Sequence, residues 1–141
     1  MNDSATAGFD TTFRTTNTWI AELAANLGWE DRHQAYIALR AVLHAVRERL
    51  GVEAVAAFGA QLPMLVRGFY YEGWHPAGKP TNKRKLDDFL RDVADEIQLD
   101  GRIDERQVAQ EVLWLLKKHL TNGEIRALQA ALPGSLQELW G

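Results

Sequence analysis

The sequence predicts an all-α protein, a single domain of two helical halves related by an internal duplication and a pseudo-twofold axis. Two observations lead to this fold class. Apolar residues recur at three- and four-residue spacing through most of the 141 residues. Laying the chain on itself at an offset of 70 residues then matches apolar with apolar positions without a gap. No stretch has the alternating, β-branched-rich pattern of a strand.

The repeat is clearest at a Leu-Pro step, which falls at Leu62-Pro63 in the first half and at Leu132-Pro133 in the second. Each proline fits the start of a new helix, so each step is expected to separate two helices. Further matched pairs are Trp19 with Phe89, Leu23 with Val93, Leu27 with Ile97, Val55 with Ile125, Phe58 with Leu128, Phe69 with Leu139 and Tyr70 with Trp140.

The first half is predicted to contain four helical segments. An apolar stripe from Phe13 to Leu27 ends at Gly28, a residue suited to a helix C-terminus. A second stripe runs from Tyr36 to Leu50, and a shorter segment follows over residues 52–61. The fourth segment comes after the first Leu-Pro step.

In the second half the helix starts are marked by capping residues. Asn82 is predicted to cap a helix that runs to Ile97. Asp104 has Gln107 three residues later, and Thr121 has Glu124 three residues later, which is the arrangement of a capping box. Two further helices are therefore expected to begin there.

We expect a disordered tail over residues 1–10 and one domain over residues 11–141. Within the domain, half one spans residues 11–72 and half two spans residues 84–141. The linker, residues 73–83, reads GWHPAGKPTNK and contains two Gly and two Pro, which favour turns. Neither half alone buries much surface, so their apolar faces are expected to pack together.

Composition excludes several classes of protein. The chain has no cysteine, so disulfide frameworks and thiolate chemistry are excluded. A formal net charge of -3 has the wrong sign for a protein that binds phosphate backbones, which argues against nucleic acid as a partner. No apolar run is long enough for a membrane span, so a cytoplasmic location is expected.

One run of residues resembles a known family. Residues 61–80, QLPMLVRGFYYEGWHPAGKP, preceded by ALRAVLHAVRERL at residues 38–50, are similar to the DUF2267 family of bacterial proteins of unknown function. The resemblance covers about residues 18–140 and implies an all-helical fold. It implies no established activity, so no catalytic residue is carried over from it.

The candidate binding residues lie in that run and are Arg67, Tyr70, Tyr71, Trp74 and His75. Aromatic side chains with polar tips supply large contact areas at binding surfaces. The alternative interpretation is that this cluster only seals the junction between the halves, with Trp74 buried and the arginine stacked on a ring.

Metal sites are not predicted. Asp100-Gly101 resembles the centre of a calcium loop, but Gln107 stands where that loop requires a bidentate Glu, so a plain helix connection is favoured. His44 and Glu48 lie four residues apart and could form half a metal site. A surface hydrogen bond between these two side chains is the favoured interpretation.

Catalytic residues and cofactors are not predicted either. The two serines, Ser4 and Ser135, stand in no nucleophile motif. The favoured function is a non-enzymatic protein–protein interaction module that uses the aromatic surface near the linker. The alternative is a small-ligand-binding protein with a pocket between the halves, gated by Arg67 or His75. A third hypothesis is DNA binding through the helical pairs of each half, based on their helix-turn-helix appearance and on the basic run at residues 79–85. The net charge opposes it. The sequence predicts no oligomeric state.

Overall fold

The computed structural model describes residues 4–98 and 103–141, and within them the protein is all-α, as predicted. These residues form seven α-helices and one 3-10 helix and contain no strand. In chain order the helices are α1 (Ser4–Leu27), α2 (Arg32–Glu48), α3 (Val52–Gly59), α4 (Met64–Tyr71), α5 (Leu86–Ile97), α6 (Glu105–His119), α7 (Asn122–Ala131) and the 3-10 helix (Gly134–Trp140). None of the described helices combines the length and apolar character needed to cross a membrane.

Two helices of the second half begin where capping residues predict. The Asp104 carboxylate accepts the Gln107 amide at 3.0 Å at the start of α6. At the start of α7 the capping box is complete, because Thr121 and Glu124 each accept the backbone N–H of the other, at 3.1 and 2.9 Å. These bonds satisfy amides that have no partner within the helix.

The N-terminal segment differs from its prediction. Residues 1–10 are predicted to be disordered, but α1 begins at Ser4, and residues 1–3 lie outside the described part of the chain. The Thr11 hydroxyl donates to the Ala7 carbonyl at 2.9 Å within this helix. Extending a helix that is already anchored in the core at Leu23 needs no new nucleus. A polar composition alone does not reveal that continuity.

The linker also differs at its C-terminal end. Helix α5 begins at Leu86, with Lys85 as an extended N-cap residue, so Asn82 does not cap it. The linker folds back on the end of α2, where the Thr81 amide donates to the Glu48 carbonyl at 2.8 Å. It therefore lies beside the junction of the two halves.

One apolar cluster joins the two halves. Helix α2 packs against α1, α4, α5 and α6, while α6 also packs against α1, α5 and the 3-10 helix, and α3 packs against α7. The fully buried side chains include Leu23, Leu39, Leu43, Tyr70, Phe89, Leu113 and Leu116. Because α2 belongs to half one and α5 to half two, the packing of α2 on α5 forms part of the junction.

A buried arginine links α2 to α5. Arg49 is fully buried, and its guanidinium donates to the Ala45 carbonyl at 2.9 Å and to the Asp92 carboxylate at 2.8 Å. The same group lies 5.3 Å from the centre of the Phe89 ring. These contacts fix the register of α2 on α5, which determines where the side chains around the candidate site lie.

Candidate functional site

Tyr70, one of the sequence-predicted site residues, lies in the core. Its hydroxyl donates to the Val55 carbonyl at 2.8 Å, and its ring packs edge-on against Phe58 at 5.3 Å. Burial raises the pKa of Tyr70, which keeps the phenol neutral. Tyr70 therefore holds α4 against α3 and is closed to solvent.

Tyr71 and Trp74 are half-buried and pack on each other, with ring centres 6.1 Å apart. The Tyr71 hydroxyl also approaches the Val55 carbonyl, at 3.3 Å. Its ring lies against Gly59 so closely that a Cβ atom there would be 2.6 Å from the Tyr71 oxygen. These contacts agree with a sealing role for the aromatic cluster.

Arg67 and His75 are the exposed members of the predicted set. The Arg67 guanidinium donates to the Gly59 carbonyl at 2.9 Å and to the Leu62 carbonyl at 3.0 Å. It thus satisfies carbonyl groups left open at the end of α3. His75 lines a cleft at the junction of the halves, and it alone of the five predicted residues does so.

This polar cleft lies between α2, α5 and the linker and has a volume of about 400 Å³. Its walls carry charged and imidazole side chains from both halves. The lining residues are Ala41, His44, Ala45, Arg47, Glu48, Gly73, His75, Lys79, Asp92, Asp95 and Glu96.

His44 joins three helices at one wall of the polar cleft. Its Nε2 lies 2.6 Å from the Phe69 carbonyl and its Nδ1 lies 2.8 Å from the Glu96 carboxylate. A carbonyl oxygen only accepts, so Nε2 carries a proton. The His44 imidazole therefore links α2 to both α4 and α5.

Arg40 completes the same network. Its guanidinium contacts the Glu96 carboxylate at 3.2 Å and the Tyr36 hydroxyl at 3.3 Å, and lies 3.7 Å from Glu72. Burial raises the pKa of Glu96, but hydrogen bonds and charges from His44 and Arg40 outweigh it, so the pKa lies below its usual range. Glu96 is therefore ionised at neutral pH.

The opposite wall of the polar cleft is also held by ion pairs. Lys79 of the linker contacts Glu48 at 3.1 Å, and Arg47 contacts the same carboxylate at 3.3 Å. Arg47 in addition donates to the carbonyls of Tyr70 and Glu72, at 2.5 and 2.6 Å. The wall is thus tied to the last turn of α4.

Two lining side chains remain unengaged. Asp95 and His75 are exposed and make no hydrogen bond or ion pair with the other described residues. The other charged groups of the polar cleft already have partners. A molecule entering the polar cleft would meet a free carboxylate and a free imidazole.

The spacing of charged residues along α2 and α5 could have indicated this site, although no known motif does. Arg40, His44 and Glu48 recur every four residues and so share one face of α2, and Asp92, Asp95 and Glu96 share one face of α5. The predicted hydrogen bond between His44 and Glu48 is wrong, because the imidazole bonds Glu96 and Phe69 instead.

No group of three or more His, Asp or Glu side chains is placed to hold a metal ion within residues 4–98 and 103–141. The calcium-loop hypothesis concerns Asp100 and Gly101, which lie outside the described residues. Within the basic run at residues 79–85, Lys79 is paired with Glu48, and Arg84 donates to the Thr81 carbonyl at 3.4 Å.

A family comparison covers both halves and the polar cleft between them. The sequence model of a family described as an uncharacterized conserved protein, DUF2267, matches residues 16–139. The chain belongs to the DUF2267 family. This match confirms the resemblance carried by residues 61–80. None of the curated proteins compared with this DUF2267 chain matches it.

Proposed function

We propose that this DUF2267 protein binds a small polar ligand in the polar cleft between α2, α5 and the linker. The observation that carries the proposal is a cleft of about 400 Å³ at the junction of the halves, lined by polar side chains from three chain segments. Clefts of this size with a few convergent polar groups are typical of small-molecule sites.

The charges in the polar cleft indicate the chemistry of that ligand. Glu48, Asp92 and Glu96 are neutralised by basic partners, which leaves Asp95 as the unpaired carboxylate among the described lining residues. A protonated amine is the complement of such a carboxylate. The free His75 imidazole can form a hydrogen bond with a second polar group of the ligand. We infer a small molecule that carries at least one ammonium group.

A thermal-shift comparison tests this proposal with matched pairs of compounds. Putrescine and cadaverine carry ammonium groups at the positions where 1,4-butanediol and 1,5-pentanediol carry uncharged hydroxyl groups. Ligand binding to the folded state raises the melting temperature with ligand concentration. We expect at least one amine to raise it at constant ionic strength while its partner does not.

The control is a charge-matched variant on the same helix. Asp95→Asn removes the free carboxylate of the polar cleft, whereas Asp87→Asn removes an exposed carboxylate of α5 that does not line it. The amine-dependent shift should disappear in the first variant and persist in the second. Equal shifts in both variants, or no shift with any amine, would contradict the proposal.

A protein–protein interaction module near the linker is the second candidate. The observation in its favour is that the Trp74 side chain, beside the linker, is only half-buried. Tyr70 and Tyr71 are already engaged by α3. The accessible part of this surface is therefore Trp74 with Arg67, Gly73 and His75. Trp74→Phe should remove a partner's contact and preserve the fold.

We also propose that the two halves descend from one duplicated unit and are related by a pseudo-twofold axis. Helices α2, α3 and α4 fall on α6, α7 and the 3-10 helix at an offset of 70 residues, and the ends of α1 and α5 coincide. The packing of α2 on α5 has its counterpart in the packing of α6 on α1.

Equivalent side-chain contacts support this relation. His119 pairs with Glu22 at 2.6 Å and stacks on Trp19 at 4.8 Å. Their counterparts at the 70-residue offset are the contacts of Arg49 with Asp92 and Phe89. Likewise, Arg47 donates to the Tyr70 carbonyl, and Lys117 donates to the Trp140 carbonyl at 3.3 Å. These matching pairs support the proposed duplication.

A further inference from the structure

One wall of the polar cleft holds an ammonium group that belongs to the chain itself. Lys79 comes from the linker, and its side chain is only 14% exposed. Its Nζ lies 3.1 Å from Oε1 of Glu48, and both residues line the polar cleft. Lysine usually keeps its ammonium group in water. The position of Lys79 therefore shows that this wall accepts an alkylammonium group against a carboxylate.

Little else fastens this part of the linker to the helices. Among residues 75–80, Lys79 alone is not exposed. Its ion pair with Glu48 is also the one hydrogen bond or ion pair that joins this stretch to the rest of the described chain. On either side the backbone is anchored, because the Trp74 amide donates to the last residue of α4 at 3.0 Å and the Thr81 amide donates to the Glu48 carbonyl at 2.8 Å. The Lys79 side chain can therefore leave the polar cleft without moving a helix.

Glu48 has a second basic partner besides Lys79. The Arg47 Nε lies 3.3 Å from Oε2 of the Glu48 carboxylate, whereas Lys79 contacts Oε1. The pair with Lys79 is partly open to water, since the Glu48 side chain is 30% exposed, and such ion pairs contribute little to stability. If Lys79 withdrew, Glu48 would keep Arg47 as a partner and would offer one oxygen to another ammonium group.

We propose that Lys79 occupies the place of a second ammonium group and that the ligand of the polar cleft is a linear diamine, which displaces Lys79 from Glu48. The proposal rests on the proposed function, in which Asp95 binds the first ammonium group. Asp95 on α5 and Glu48 on α2 line the same polar cleft, so a molecule inside it faces both carboxylates. The side chain of Lys79 is itself a butylammonium chain, which has the chemistry of one end of such a diamine.

Two compounds of equal length test the proposal, cadaverine with two ammonium groups and 5-amino-1-pentanol with one. In calorimetric titrations at constant ionic strength, the wild type should prefer cadaverine by more than the statistical advantage of its two equivalent ends. Lys79→Met removes the competing ammonium group and keeps an aliphatic side chain, so the affinity for cadaverine should rise about fivefold. The affinity for 5-amino-1-pentanol should stay close to its wild-type value. Glu48→Gln should remove the preference for cadaverine.

Lys83→Met is the matched control. Lys83 is an exposed lysine of the linker that does not line the polar cleft, so this variant loses the same charge and should keep both affinities. Lys79→Arg retains a cation and should bind cadaverine no more tightly than the wild type. If Lys79→Met gains no affinity for cadaverine, or if Lys83→Met gains as much, the proposal is overturned.

The ¹⁵N resonance of the Lys79 ammonium group reports the displacement directly. It should move toward the position of a solvent-exposed lysine as cadaverine saturates the wild type, and 5-amino-1-pentanol should leave it in place. A resonance that cadaverine does not move overturns the diamine proposal. The proposed function then still stands if both compounds bind and Asp95→Asn abolishes their binding. If neither compound binds, both proposals are wrong.

Discussion

The interface of α2 with α5 and the interface of α6 with α1 correspond at the 70-residue offset of the sequence, yet only the first contains the polar cleft. Both have a basic side chain that pairs with a carboxylate and contacts an aromatic ring, Arg49 in one and His119 in the other. Because both interfaces have this contact, we attribute it to the packing of the helices and not to the polar cleft.

The two interfaces differ where the polar cleft opens. The position equivalent to His44 is Trp114, which is 47% exposed, and the positions equivalent to Asp95 and Glu96 hold an alanine and an asparagine, neither of which is charged. Helix packing of this kind therefore does not require the charged network of His44, Arg40 and Glu96. Because the helices can pack without this charged network, the network is a candidate for a functional role.

The largest expected effect comes from breaking the shared contact. Arg49→Ala should lower the free energy of unfolding by about 3 kcal/mol, because it removes a fully buried partner of Asp92. His119→Ala should cost about 1 kcal/mol, since that pair is more exposed. Urea unfolding measures both.

Arg91→Ala is the control for these two variants. Arg91 is an exposed member of a pair within α5, so its loss should change the free energy of unfolding by less than about 0.5 kcal/mol. If His119→Ala and Arg49→Ala lowered the free energy of unfolding equally, the two contacts would contribute equally to stability, which contradicts this prediction.

The next effect concerns the charged network that is present at the interface of α2 with α5 and absent from the interface of α6 with α1. Glu96→Gln should lower the free energy of unfolding by about 1 to 2 kcal/mol at neutral pH, because the charge-assisted bonds to His44 and Arg40 are weakened. The measurement is urea unfolding of both proteins across the acidic range.

The sign of the pH dependence follows from the lowered pKa of Glu96. A carboxyl whose folded pKa lies below its ordinary 4.5 stabilises the protein above that value, and the stabilisation is lost as pH falls through the folded pKa. The difference between wild type and Glu96→Gln should therefore shrink in acid. A difference that is constant with pH would contradict the ionised network.

A smaller effect is expected in α1, where the halves differ by Thr16 against Leu86. Thr16→Val should raise the free energy of unfolding by about 1 kcal/mol, because it removes a buried hydroxyl without a partner. Thr12→Val should lower it, because it removes the acceptor of the Leu65 amide. Thermal unfolding compares the two, and a loss of stability in both would mean that Thr16 has a partner.

The smallest effect on stability is expected at the free groups of the polar cleft. His75→Ala should change the free energy of unfolding by less than about 0.5 kcal/mol, because the side chain is exposed and unengaged. It should nevertheless weaken binding of the amine that stabilises the wild type. Calorimetric titration measures that affinity, and an unchanged value would remove His75 from the site.

Much of the fold could be predicted because its signals are local. The apolar spacing of the helices and the capping residues Thr121 and Asp104 are each recognised within a few positions of the sequence. The start of α1 is not predicted correctly, because it depends on the distant buried part of the same helix around Leu23. The start of α5 is not predicted correctly either, because it depends on how the linker folds back on Glu48.

The candidate site was harder to predict because its contacts are distant in the chain. His44 and Glu96 are 52 residues apart, and neither stands in a known motif. Residue type alone suggests a binding surface in the aromatic run, but the exposure of each ring depends on how the helices pack. The Val55 carbonyl accepts hydrogen bonds from two of the tyrosines in that run, Tyr70 and Tyr71. Of the predicted residues, His75 lines the cleft because the linker brings it there.

The most direct test of the small-ligand proposal is an NMR titration of the isotope-labelled protein with the amine that gives the largest thermal shift. We expect saturable changes in the amide resonances of Ala45, Asp95 and Glu96. We expect none at Leu115, Ala25 and Asn26, which stand 70 residues from them in the sequence. Asp95→Asn should abolish them and Asp87→Asn should not. Changes spread equally over both interfaces, or no saturation, would contradict it.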